Sequence, residues 1–208
     1  MNRKLFTVLS LDDSADFFAL LICGALFCAG CVVGTLLSVC LPNGSVIYKD
    51  IMSYLSISTG DMAADFSFLP VFFNIFKFHF LSFVFGFSIL GVFSIPMLSA
   101  LRGFALAFSV SAFMRILGSA GIPLTLCVFG IEAFISIPCF FVLSTQSFST
   151  SRILFGSVFL QSGRTGPSPY NKQFFKRLFV CFIIIVLLSF VESQFFPGII
   201  DYFVLRIF

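Results

Sequence analysis

The chain has 208 residues, of which 59% are apolar and only 10% charged, and its formal net charge is +3. A soluble globular chain carries roughly 25% charged residues, and a water-soluble core does not hide several apolar runs that each exceed the roughly 18 residues of a membrane-span signal. The composition excludes an ordinary soluble domain, and unbroken apolar runs such as 178–190 exclude the alternating strands of a membrane barrel. What remains is an all-α, polytopic transmembrane helical bundle, because a helix satisfies its own backbone hydrogen bonds in lipid.

The first apolar run covers residues 17–41. Its Cys28-Ala29-Gly30-Cys31 loosely matches a lipoprotein cleavage box. Against cleavage stand three acids ahead of it, Asp12, Asp13 and Asp16, beside only Arg3 and Lys4, the Cys at position 28, and an apolar run that continues past Cys31. The run is therefore expected to stay as a signal anchor. Gly30-x-x-x-Gly34-x-x-x-Ser38 makes a small-residue stripe along it, suited to close helix contact but silent about the partner. Residues 42–77 follow as a loop that carries Asp50, Asp61 and Asp65.

From 78 to 143 the chain is almost continuously apolar, roughly 99 Å if fully helical against a ~30 Å hydrocarbon core. Three crossings fit. Helix breakers at Pro96 with Ser99, and at Gly118-Ser119-Ala120-Gly121-Ile122-Pro123, predict spans at 78–95, 98–117 and 122–143. A last span at 178–195 makes about five, so that residues 1–208 form one integral membrane domain. In the loop 144–177, residues 149–160 have the mix of a short interfacial amphipathic helix, and 161–173 read as a Gly, Ser and Pro linker.

Cytoplasmic loops carry the excess of Lys and Arg. With the N-terminus inside, eight cations are cytoplasmic, namely Arg3, Lys4, Arg102, Arg152, Arg164, Lys172, Lys176 and Arg177, and four are outside, Lys49, Lys77, Arg115 and Arg206. That arrangement places the C-terminus and the loop 42–77 outside. The loop cations read as topology determinants, with attraction to anionic headgroups as the alternative.

Seven Cys residues lie in or beside apolar runs without His or further ligands at fixed spacing, so they read as packing residues, not a metal site. The single histidine, His79, belongs to no H-E-x-x-H motif, and there is no G-x-S-x-G elbow or Gly-rich phosphate loop. No catalytic, cofactor or metal residues are expected. His79, next to Lys77, is expected to snorkel at the outer interface, and Arg102 and Arg115 to anchor the two ends of the third span. Glu132 is the unusual residue, since a charge at mid-span costs at least about 2.5 kcal/mol. It is expected to face protein, either protonated and donating a hydrogen bond or paired with a cation reaching inward, such as Arg115. With no second intramembrane acid beside it, interhelical bonding is favoured over an ion relay or a partner contact.

An ordered set of segments carries a family resemblance: Phe72-Phe73-Asn74-Ile75-Phe76-Lys77, Gly86-Phe87-Ser88-Ile89-Leu90-Gly91, Ile95-Pro96, Arg102-Gly103-Phe104 and Phe108. Over residues 72–143 the chain resembles the stage II sporulation protein M family of integral membrane proteins. Ile137-Pro138 closes the fourth span as in that family, and Glu132 stands where members carry a polar residue after a proline, here replaced by Ile131. The resemblance implies a non-enzymatic scaffold in a bacterial cell membrane. In endospore-forming bacteria, such scaffolds hold a peptidoglycan amidase and a lytic transglycosylase at the septum during engulfment. Membrane lipid and those hydrolases are the expected partners, and nucleic acid is not. The hydrolases are expected to meet the loop 42–77 and the tail 197–208, and the candidate packing or partner contacts are Gly30, Gly34, Asn74, Pro96, Arg102, Gly103, Glu132 and Pro138. The alternative is a permease or transporter component that uses Glu132 and broken helices around Pro96 and Pro123 as a pathway. It ranks second because no pair of matching interrupted segments occurs in two halves.

Overall fold

A computed structural model describes residues 14–40, 68–118, 122, 125–159 and 172–207, with side chains described as far as 194. The described residues form five long helices and no strand: α1 (Ser14–Cys40), α2 (Phe68–Gly86), α3 (Gly91–Leu117), α4 (Ile131–Phe159) and α5 (Lys172–Ile207), with a π-helical turn at Leu126–Gly130 leading into α4. Four of them, α1, α3, α4 and α5, are long and apolar enough to cross a membrane, and α2 is the shorter fifth. The outer loop between 42 and 67 and the linker 161–171 lie outside the described residues.

The distribution of side chains is inverted relative to a soluble protein. Phe93, Met97, Leu126 and Phe134 are among the most exposed, whereas Ser82, Ser99, Thr145, Ser189 and Glu192 are buried. An apolar exterior around an interior that mixes apolar side chains with small polar ones is what lipid as solvent selects.

Helix directions follow from the contacts. Along α1 the partners on α3 ascend in step, from Ser99 Oγ donating to the Cys23 carbonyl at 2.8 Å to Arg115 donating to the Ser38 carbonyl, so the two run parallel. Against α4 the order reverses: Ser149 Oγ donates to Asp16 Oδ1 at 2.7 Å, and Phe27 meets Phe141 edge-on. The helix α2 runs parallel to α4, with His79 at Ser136, Ser82 at Ser144 and Ser88 at Ser151. It runs antiparallel to α5, with Phe83 at Phe174 and Ile75 at Ile185. Successive helices thus alternate in direction, as five successive crossings require. One end of the bundle holds the start of α1, the α2–α3 turn and the start of α5; the other holds the α3–α4 connection and the end of α5.

Several expected boundaries are corrected. The second helix is Phe68–Gly86, not 78–95, and the chain reverses at Phe87–Leu90, where Ser88 Oγ accepts from the Leu90 N–H at 3.2 Å and the Gly91 N–H donates to the Ser88 carbonyl at 3.0 Å. A Cβ on Gly91 would collide with the Phe85 carbonyl, and one on Gly86 with Ser147, so this hairpin requires both glycines. Pro96 does not mark the turn: it is buried inside α3, one turn past the start. Nor does Pro138 close a span, since it lies exposed within α4. Prolines persist in membrane helices because neighbouring helices re-satisfy the freed backbone groups. Residues 149–159 continue α4 instead of forming a separate interfacial helix, and the expected tail past 197 is helical to Ile207. The third span ends where expected, at Leu117, with Gly118 at φ 60° in the left-handed region that favours glycine.

Candidate functional site

The α1–α3 interface is built by three glycines. A Cβ on Gly30 would strike the Ala100 carbonyl, one on Gly34 the Phe104 carbonyl, and one on Gly103 the Phe27 carbonyl. The stripe read in the sequence thus packs within the chain, against α3 at Ala100 and Phe104, and Gly103 of α3 packs in turn against α1 at Phe27. Arg115 caps the far end by donating to the Ser38 and Val39 carbonyls, the latter at 3.2 Å. These are orphan acceptors of the last turn of α1.

Arg102 lies on α3 at 6% exposure, so it does not snorkel, and His79 on α2 is 1% exposed rather than interfacial. Both expectations fail for one reason: each finds partners inside the bundle. The Arg102 guanidinium sits 4.6 Å from the Phe140 ring centre and 5.5 Å from that of Phe78, while Nη2 donates to Ser136 Oγ. Its Nη1 lies 3.4 Å from His79 Nδ1, and His79 Nε2 lies 3.2 Å from the Ser136 carbonyl. A neutral imidazole has one donor and one acceptor. With its hydrogen on Nε2 the ring donates to the Ser136 carbonyl and Nδ1 accepts from Arg102; with its hydrogen on Nδ1 it donates to the Ile75 carbonyl, 2.9 Å away. Three helices, α2, α3 and α4, are tied at this one point. His79 is not aimed at the Ser136 hydroxyl, which accepts from Arg102, so the pair is not arranged as base and nucleophile.

Beside the network is a cavity of about 240 Å³ lined by Asn74, Lys77, Phe78, Arg102, Phe129 and Glu132 among others. Lys77 Nζ donates to Asn74 Oδ1 at 2.7 Å. Glu132, in the first turn of α4 next to the π-helical turn, acts electrostatically on Arg102 and Lys77, so the cation facing it is Arg102 and not Arg115. It is also not alone. Glu192 of α5, at 2% exposure, interacts electrostatically with Glu132, and its Oε1 has no hydrogen-bond partner among the described residues. This corrects the reading that no second intramembrane acid accompanies Glu132. The signal was present, since Glu192 falls inside the apolar run 178–195.

Of the cysteines, Cys23, Cys139 and Cys181 are buried in the packing, with Cys181 Sγ 3.9 Å from the Cys139 carbonyl, while Cys28 and Cys40 face outward. Among the described residues, no group of three or more His, Cys, Asp or Glu is placed to hold a metal ion.

The fold and site define a helical-bundle membrane protein with a hydrogen-bonded polar interior. Comparison with family models, with curated proteins and with solved structures finds no match.

Proposed function

We propose that the chain is a non-enzymatic scaffold of the stage II sporulation protein M type. It would anchor a peptidoglycan amidase and a lytic transglycosylase at the septal membrane of a bacterial cell during engulfment. The observation that carries the reading is the Arg102–His79–Ser136 network, whose donors and acceptors are directed at one another rather than toward a substrate. A bundle locked in this way suits a platform that presents its connecting segments to partners. Co-purification of the tagged protein from its native cells tests it: recovery of wall hydrolases is expected.

A second reading, a permease or transporter component, is favoured by one observation, the electrostatic interaction of buried Glu192 with Glu132, which lines the cavity. Intramembrane acids mark ion pathways by default. Recovery of a nucleotide-binding subunit in place of hydrolases would displace the scaffold in favour of transport.

A further inference from the structure

A cleft of about 840 Å³ lies between α2 and α5, with Leu143 of α4 in its lining, and half of its lining residues are phenylalanine: Phe76, Phe80 and Phe83 on one side, Phe175, Phe179 and Phe182 on the other. Lys176 lines it at the end where α5 begins, and the chain neighbour Arg177 turns inward to pair with Asp16 at 3.9 Å. That ion pair, together with Ser149, marks this end as a charged boundary layer. Along α5 its lining runs from Phe175 to Ile185. From Phe175 to Ile185 is roughly 15 Å of helix, about half of a ~30 Å hydrocarbon core. The cleft is therefore one leaflet deep. A partner's transmembrane helix would need the whole thickness, whereas a phospholipid acyl chain enters from the interface and ends near the midplane. Lys176, which lines the mouth, stands where the headgroup phosphate of such a lipid would lie, with its stem covering apolar surface.

We propose that the α2–α5 cleft binds one anionic phospholipid, its acyl chain between the phenylalanine walls and its phosphate at Lys176. The site adjoins the Arg102 network through the deeply set His79, which contributes to the cleft lining. The test is native mass spectrometry of the full chain, released from nanodiscs of phosphatidylcholine with a minor fraction of phosphatidylglycerol. The wild-type protein is expected to retain one phosphatidylglycerol in preference to phosphatidylcholine. Lys176→Gln should weaken that preference about fivefold, the effect of one cation near an anionic surface. Arg152→Gln is the control, because Arg152 lies over the Phe18 ring of α1 and should leave the preference unchanged. Equal retention of the two lipids overturns the proposal. So does an equal loss in both variants, or a retained second protein chain in place of lipid.

Discussion

Arg102 is a cation inside a bundle, and its tolerance depends on shape as much as on charge. The planar guanidinium faces Phe140 and Phe78 while directing separate N–H groups at Ser136 and His79. An ammonium is a compact point charge that does not reproduce this fork. Arg102→Lys is therefore expected to lower stability by about 1–2 kcal/mol, the upper range for interhelical hydrogen bonds in membranes. Thermal unfolding in detergent measures it, and an unchanged midpoint would mean that the network does not hold the helices. Glu132 and Glu192 belong to the same scale. Gln keeps donor and acceptor geometry without a titratable proton, and Leu removes both. Under the scaffold reading, Glu132→Gln behaves like the native residue and Glu132→Leu costs about 0.6–2 kcal/mol in abundance or partner retention. Because the two carboxyls interact, Glu132→Gln and Glu192→Gln should be non-additive by at least about 0.5 kcal/mol in a double-mutant cycle. Loss of function in Glu132→Gln at normal abundance and partner retention would point to transport.

At the level of helices, two seams hold the bundle, and both are made of small residues. Gly30, Gly34 and Gly103 let the α1 and α3 backbones meet, and Ser82 and Gly86 of α2 lie against Ser144 and Ser147 of α4. Lipid supplies no hydrophobic force between helices, so close packing and hydrogen bonds must do the joining. Gly103→Leu is expected to destabilise by about 1–3 kcal/mol through overpacking. Gly24→Ala on the same α1 should be neutral or mildly stabilising, because a Cβ there meets nothing within 4 Å. Unfolding midpoints of the two variants, compared side by side, test this; equal loss in both would remove the seam from the account.

For the molecule as a whole, the alternating helix directions put the start of α1 and the start of α5 at one end and the end of α5 at the other. The cation count predicts a side for this arrangement, with Arg152, Lys176 and Arg177 expected toward the cytoplasm. A reporter that works only outside the cytoplasm should be active when fused after Phe208 and silent within residues 161–173. The reverse pattern, or activity at both sites, would sink the N-inside topology.

By itself, the sequence determined the solvent and the class of architecture. An apolar run reports burial in lipid whatever its neighbours are, and the Gly30–Gly34–Ser38 stripe and the stop at Gly118 are local signals of the same kind. It did not determine where α2 ends, because Gly86 and Gly91 are required only by contacts with Ser147 and with the Phe85 carbonyl, while Pro96 is the louder local signal. Nor did it determine the fate of His79 and Arg102, or the neighbours of Glu132. Polar residues near the ends of apolar runs read as interfacial when each helix is considered alone. Only the tertiary structure placed Arg102 between His79 and Ser136, and Glu192 within reach of Glu132. Whether a charge meets lipid, water or a counter-charge depends on residues distant in the chain, and one-dimensional pattern carries no information about which helices are neighbours.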